Sequence, residues 1–154
     1  MPHEEISVFI EAPPEIVFDF VSDLKRIPEY VDFVQEISDI TPGRTRVGTT
    51  YMERAKMGPG EQKQQWSCIE FNRPKSQAYE GKSSQMHIVL HKQILPEGNG
   101  TRYKQWVDFN MFPTFRLFGR LLDPFVARTM RKQFPKITGG IKQIIEREFK
   151  SGRM

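Results

Sequence analysis

The chain has 154 residues, 38% of them hydrophobic, which suits one domain, residues 1–154, with a single core. It carries 23 Lys and Arg against 19 Asp and Glu, a net charge of +4, and one cysteine. A single cysteine excludes an internal disulfide, a cysteine zinc site and a CxxC redox motif. The polar first residues, and the lack of any run near the roughly 18 apolar residues of a membrane span, predict a cytoplasmic protein with no signal peptide or transmembrane segment.

The N-terminal part of the sequence predicts a strand followed by two short helices. Apolar and polar residues largely alternate over residues 5–11, which is the period of a half-buried strand. Pro14 suits the first turn of a helix, because that turn needs no backbone N–H donor at this position. We expect this helix to end or bend at Pro28 and a second short helix to begin there.

The central part of the sequence has the period of strands. Gly, Pro and Asn mark turns between six predicted strands, at residues 34–41, 47–57, 62–71, 75–82, 85–95 and 101–111. The connections are too short for parallel crossovers, which need roughly a dozen residues. An antiparallel meander is therefore expected.

A helical period returns in the C-terminal part of the sequence. Asp123–Pro124 has the pattern of an N-cap followed by a proline in the first turn, so a long helix is predicted to start there. Pro135 and the Gly139–Gly140 pair are unfavourable inside a helix. They predict a bend that leaves space between the helix and the sheet.

Positive charge is concentrated at the C-terminal end. Residues 113–154 carry ten Lys and Arg against three Asp and Glu, whereas residues 1–112 carry 13 against 16. Such a basic segment is typical of contact with nucleic acid or anionic membranes, but a solvated helix face gives the same count. We favour the solvated face.

Five segments in sequence carry a family resemblance: APPEIVFDFVSDLKRIPEYV, RVGTTYMER, EQKQQWSCIEFNRPKSQAYEG, LPEGNGTRYKQWVDFNM and LFGRLLDPFVARTMRK. In order and spacing they resemble the START-related (SRPBCC, helix-grip) superfamily, most closely its polyketide cyclase/dehydrase-like branch. The resemblance implies an α+β helix-grip fold, in which a curved seven-stranded antiparallel sheet wraps around a long C-terminal helix, with two short helices between strands 1 and 2. It does not select a function, because the superfamily includes lipid and sterol carriers, quinone-binding proteins and aromatase/cyclases.

Strand alternation assigns side chains to the face of the sheet that the long helix should cover. This inner set is mainly aromatic, aliphatic and sulfur-containing with a few polar groups, as in pockets for small apolar ligands. The predicted ligand-binding residues are Tyr51, Glu53, Trp66, Cys68, Met86, Ile88, Leu90, Tyr103, Gln105, Val107, Phe109, Met130, Phe134 and Ile137. The alternative is a core that such side chains fill completely.

No motif for a metal or a cofactor occurs in the sequence. GxSxG, HExxH, a P-loop and a GxGxxG after a strand are all missing. His87 and His91 share one face of a predicted strand, pointing outward, but lie roughly 13 Å apart, too far to bind one metal ion. We therefore expect neither a metal nor a cofactor.

Glu53 is the leading candidate for acid–base chemistry. A carboxyl group that points inward among aromatic side chains has a raised pKa and a proton available near neutral pH. Tyr51 and Tyr103 are weaker candidates that could assist it. Alternatively, Glu53 pairs with an inward basic residue such as Lys92 or lies in water at the opening of the pocket.

Three functions are consistent with these patterns. We favour a non-catalytic protein that binds or carries a hydrophobic small molecule, such as a lipid, an isoprenoid or an aromatic metabolite. The family branch also suggests a cyclase, aromatase or dehydratase that acts on a polyketide-like substrate. The third is an interaction module that uses the basic C-terminal helix; aromatic and basic residues do not interleave there, so nucleic acid is not expected, whereas peripheral membrane contact stays open.

Overall fold

The order of strands and helices follows the chain from a first strand to a long last helix. The computed structural model describes residues 3–57, 60–83, 85–111 and 116–154. The elements are β1 (His3–Ile10), α1 (Pro14–Ser22), a 3-10 helix (Leu24–Glu29), β2 (Val34–Ser38), β3 (Thr50–Met57), β4 (Gly60–Asn72), β5 (Ser76–Lys82), β6 (Met86–Glu97), β7 (Gly100–Met111) and α2 (Arg116–Lys150).

All seven strands form one antiparallel sheet in the order β1-β7-β6-β5-β4-β3-β2. Strands β2 to β7 are a meander of neighbours, and β1 pairs with β7 at the far edge. The chain crosses from one edge strand to the other through α1 and the 3-10 helix. The sheet is curved and α2 packs on β1 and β7, so the predicted α+β helix-grip fold is confirmed.

The second short helix lies earlier in the chain than predicted. Helix α1 ends at Ser22, where the Asp23 N–H donates to the Phe20 carbonyl oxygen at 3.2 Å. The 3-10 helix follows at once and contains Pro28 near its end, rather than starting there. The fixed φ of proline fits a 3-10 turn, so Pro28 is accommodated inside the short helix.

The start of the long helix was also predicted wrongly. Helix α2 begins upstream of Asp123–Pro124 and includes both residues. The Asp123 side chain does not cap it; its Oδ1 atom is buried and finds no hydrogen-bond partner among the described residues. Leu117 and Leu121 already have helical spacing, so this apolar pair was the signal for the earlier start. Pro124 removes one main-chain hydrogen bond, and the helix continues around it.

The second half of α2 closes the core. Ile141, Ile144 and Ile145 are buried against the sheet. At the surface, the Lys142 ammonium donates to the Phe9 carbonyl oxygen at 2.7 Å, which fastens α2 to β1. Within the described ranges, no helix combines the length and the hydropathy of a membrane span.

The glycine pair of α2 does not line the open space between helix and sheet, contrary to prediction. A Cβ atom added at Gly140 would lie 3.2 Å from the Tyr30 Cβ atom, so this glycine allows α2 to approach the chain after the 3-10 helix. A Cβ atom added at Gly139 would have nothing within 4 Å. The open space between helix and sheet lies beside the preceding turns of α2 instead.

Candidate functional site

A cavity of about 280 Å³ lies between the concave face of the sheet and the part of α2 from Phe125 to Ile137. Strands β3, β4, β6 and β7 contribute every second residue to its walls, because successive strand side chains point to opposite faces. All of the predicted ligand-binding residues line the cavity except Cys68 and Phe109. Those two face the same side of the sheet but are buried in the adjoining core, with 1% and 0% exposure.

The sequence did not identify the part of the wall that follows the 3-10 helix. Tyr30 and Phe33 belong to a short connection without a regular period, so no pattern directs them to the cavity. The other lining residues missed as ligand contacts are Ile27, Val31, Ala55, Gln62, Gln64, Lys92, Phe125, Val126 and Thr129. Ala55, Gln64 and Lys92 alternate along their strands in step with the predicted lining residues Glu53, Trp66 and Leu90, so the same period of two places them on the inner face.

Several polar side chains of the cavity have hydrogen-bond partners within the protein. The Tyr103 hydroxyl donates to Gln105 Oε1 at 2.9 Å. The Lys92 ammonium donates to the Val21 carbonyl oxygen at 2.8 Å and lies 5.0 Å from the centre of the Tyr79 ring. Its burial lowers the pKa of Lys92 to about 8. These groups are therefore held in place rather than free to move.

Glu53 differs from these groups, because the described residues offer its carboxyl group no hydrogen bond or ion pair. It is half-buried on β3, opposite Gln64 of β4. Burial raises the pKa of Glu53 to about 7, and the Trp66 indole and the Lys92 ammonium oppose that rise. The Trp66 Nε1 atom is itself buried without a hydrogen-bond partner among the described residues, so its contact with the carboxyl group falls short of a full hydrogen bond. The ion pair with Lys92 that we considered is not formed.

The tyrosines around the cavity are neutral hydrogen-bonding groups. Burial is the main cause that raises the pKa of both Tyr51 and Tyr103 well above the usual value for a phenol. Burial also raises the pKa of Tyr30, whose hydroxyl has no hydrogen-bond partner in the described part of the chain. The cavity therefore provides aromatic surface, neutral hydroxyls and one carboxyl group that can exchange a proton near neutral pH.

The histidines lie outside this site. His87 Nε2 is 2.9 Å from Glu80 Oε2, and His91 Nε2 is 3.3 Å from Asp108 Oδ2, on the outer face of the sheet as predicted. The His91 ring stacks on Trp106 with 4.8 Å between ring centres. Across the described residues, no three His, Cys, Asp or Glu side chains are grouped so as to hold a metal ion.

Comparisons with known proteins agree with this architecture. The sequence model of a family described as "Polyketide cyclase / dehydrase and lipid transport" matches residues 1–146. None of the curated proteins matches the chain in sequence.

Several solved structures have the same fold. The Zhui aromatase/cyclase from Streptomyces sp. R1128 is similar with a TM-score of 0.80 and 11% identity, covering 96% of this chain and 95% of that one. TTHA0849 from Thermus thermophilus is similar with a TM-score of 0.76 and 20% identity, covering 94% and 97%. Ara h 8.0201 is similar with a TM-score of 0.69 and 15% identity, covering 94% of this chain and 97% of that one. At these identities the likeness shows the fold alone.

Proposed function

Because the chain belongs to the polyketide cyclase/dehydrase and lipid transport family, within the START-related superfamily, we propose that it binds a hydrophobic small molecule beneath α2. The observation that carries the proposal is the cavity of about 280 Å³ between sheet and helix. Close-packed protein interiors leave few voids larger than a water molecule. A cavity near the roughly 300 Å³ lower end of small-molecule sites, with apolar walls and few polar groups, suits a ligand better than an imperfect core.

The lining residues favour a ligand with a hydrocarbon or aromatic body and an oxygen-containing polar group. Aliphatic and aromatic side chains such as Leu90, Val107 and Phe134 would contact the body. Glu53 would contact the polar group: below its pKa of about 7 it is a carboxylic acid and can donate a hydrogen bond to a carbonyl or hydroxyl oxygen. An isoprenoid, a lipid or an aromatic metabolite meets this description.

We place this binding in the cytoplasm, since the lone Cys68 is a free thiol, which suits a reducing compartment.

Native mass spectrometry of gently purified protein tests this proposal. We expect a small molecule bound to the folded protein that is released on unfolding. The Leu90→Trp variant, whose larger side chain would occupy the cavity, should lose it. A wild-type protein that carries no ligand and also fails to bind added hydrophobic probes would contradict the proposal.

The second candidate function is a cyclase, aromatase or dehydratase that acts on a polyketide-like substrate. It is favoured by the proton available on Glu53 inside the cavity and by the fold shared with the Zhui aromatase/cyclase. Tyr51 and Tyr103 would help to place the substrate. Glu53→Gln should then abolish turnover of a cyclisable substrate and leave ligand affinity within about tenfold, because the proton donor is lost and the walls remain. Unchanged turnover would exclude Glu53 as the acid.

A further inference from the structure

The outer side of the first half of α2 carries large apolar side chains that face solvent. Leu117, Leu121 and Phe125 are 83%, 76% and 71% exposed. Their spacing of four residues places them on one side of the helix, over successive turns. We call them the exposed apolar ridge. Adjacent exposed apolar side chains of this size are typical of a surface that contacts another molecule.

Basic side chains continue the same side of α2 beyond the exposed apolar ridge. Arg128, Lys132 and Lys136, here called the basic end, are exposed and form no ion pair with the described residues. Neighbouring Arg131 differs, since its Nε atom lies 3.0 Å from Glu4 Oε1. From residue 124 to residue 145 the sequence contains no Asp or Glu. The basic end therefore has no acidic residue within this stretch of its own helix to neutralise it.

The exposed apolar ridge is continuous with the cavity. Phe125 is mostly exposed and also lines the cavity, so it lies where the cavity meets the surface. Val126 and Thr129, on the adjoining side of the helix, line the cavity as well. A surface that rests against the exposed apolar ridge would thus lie beside the opening of the cavity.

We propose that the exposed apolar ridge and the basic end together dock on an anionic lipid bilayer. An amphipathic helix that lies in a membrane interface inserts apolar side chains between the lipids and places Lys and Arg against the negative headgroups. Each basic residue near an anionic surface adds to the attraction. A second copy of this chain that packed its own exposed apolar ridge against this one would bring no Asp or Glu from residues 124–145 to the basic end. RNA would pair with the charge but would not use exposed leucines, since single strands stack on aromatic side chains.

The docking is independent of whether the cavity holds a ligand, so its test is independent of the proposed function. Co-sedimentation with vesicles of phosphatidylcholine alone, and of phosphatidylcholine with phosphatidylglycerol, measures it directly. We expect the wild-type protein to bind the anionic vesicles, to bind neutral vesicles much more weakly, and to dissociate as salt is raised.

Two variants with matched controls separate the contributions. Reversal of the basic end (Arg128→Glu, Lys132→Glu, Lys136→Glu) should weaken binding to anionic vesicles at least about tenfold, since three attractive charges become repulsive. The control Lys25→Glu, Arg44→Glu, Lys75→Glu makes the same change in net charge at exposed residues outside α2 and should bind within about threefold of wild type.

The exposed apolar ridge is tested in the same way. Leu117→Ser with Leu121→Ser should reduce vesicle binding roughly tenfold or more, because two buried leucine contacts with lipid are lost. Val47→Ser with Leu95→Ser changes two other exposed apolar residues and should have little effect.

Three results would overturn the proposal: no binding of wild type to anionic vesicles, equal losses in the variants and their controls, or equal binding to neutral and anionic vesicles. A wild-type dimer that the leucine substitutions dissociate would also overturn it, because the exposed apolar ridge would then be an interface between copies. Circular dichroism of every variant confirms that the fold is retained.

Discussion

Glu53 is the only carboxylic acid among the described residues that line the cavity. Its environment disfavours the charged form, because leaving water costs a carboxylate more than it costs the neutral acid. Lys92 experiences the same effect with opposite sign, and burial moves its pKa down to about 8. Both residues therefore keep a charge only at a cost to the folded state.

The first prediction concerns the pH dependence of stability. The folded-state pKa of Glu53, about 7, exceeds its ordinary value of 4.5, so above 4.5 the folded state holds a proton that the unfolded state has lost. The free energy of unfolding should therefore fall as the pH rises from about 4.5 through about 7. The Glu53→Gln variant should lack this part of the decline. Near pH 8 its free energy of unfolding should be roughly 1–3 kcal/mol higher than that of wild type.

Urea denaturation of both proteins between about pH 5 and pH 8 measures the difference. Glu15→Gln, at an exposed carboxyl group, is the control and should follow the wild-type curve. Parallel curves for wild type and Glu53→Gln would show that Glu53 titrates as it does in water.

Lys92 should change the stability with pH in the direction opposite to Glu53. Its folded-state pKa of about 8 lies below its ordinary value of 10.5, so between these values the unfolded state holds the extra proton. Stability should therefore rise with pH in this window, counted for Lys92 alone. Lys92→Met should remove the rise, and urea denaturation across the window is the measurement. A rise that persists in the variant would assign the effect to another group.

Helix α2 has two parts with different surroundings. Its last turns, from Ile141 on, are fixed in the core by isoleucines, while the turns before them cover the cavity on one side and carry the exposed apolar ridge on the other. At Gly140, α2 lies close to Tyr30 in the chain after the 3-10 helix. The packing of the helix leaves little room for a larger side chain there.

A matched pair of alanine substitutions tests this packing. Gly139→Ala should raise the free energy of unfolding by roughly 0.5–1 kcal/mol, because alanine favours a helix and its Cβ atom has open space. Gly140→Ala should show no such gain, because its Cβ atom would lie 3.2 Å from Tyr30 Cβ and 3.5 Å from Tyr30 Cα. Urea midpoints of the two variants give the comparison. Equal gains would mean that α2 does not pack closely on Tyr30.

The sequence predicts elements better than it predicts their ends. Alternation located six strands of the meander and the correct inner face, because one buried face imposes a period of two. The start of α2 was misplaced because Asp123–Pro124 has the local pattern of a helix start, while the leucines upstream extend the helix.

The cavity walls were predictable where strands form them, because strand side chains alternate between the two faces of the sheet. Residues on strands were assigned to the cavity side by their period. Tyr30 and Phe33 were not, because they reach the cavity through the path of a short connection, which depends on tertiary packing. Local patterns also could not show that Glu53 lacks an ion-pair partner. That depends on the tertiary structure, in which the Lys92 ammonium donates to the Val21 carbonyl oxygen instead.

At the scale of the whole molecule, one cavity and one outer surface share α2. The curved sheet provides most of the cavity wall, and the part of α2 from Phe125 to Ile137 completes it. The basic end lies on the outer side, so its charge is separated from the ligand site. Reversal of the basic end should therefore leave the affinity for a neutral hydrophobic probe unchanged, because exposed charges are screened within about 8 Å at physiological salt.

The most direct test of the central claim, that the cavity binds a hydrophobic ligand, is a calorimetric titration with N-phenylnaphthylamine. Leu90→Trp adds volume inside the cavity, whereas Val89→Trp places the same side chain on the opposite face of β6. We predict that Leu90→Trp weakens probe binding at least about tenfold while costing roughly 1–3 kcal/mol of stability, and that Val89→Trp binds as wild type does. Wild-type affinity in a folded Leu90→Trp protein would contradict the account.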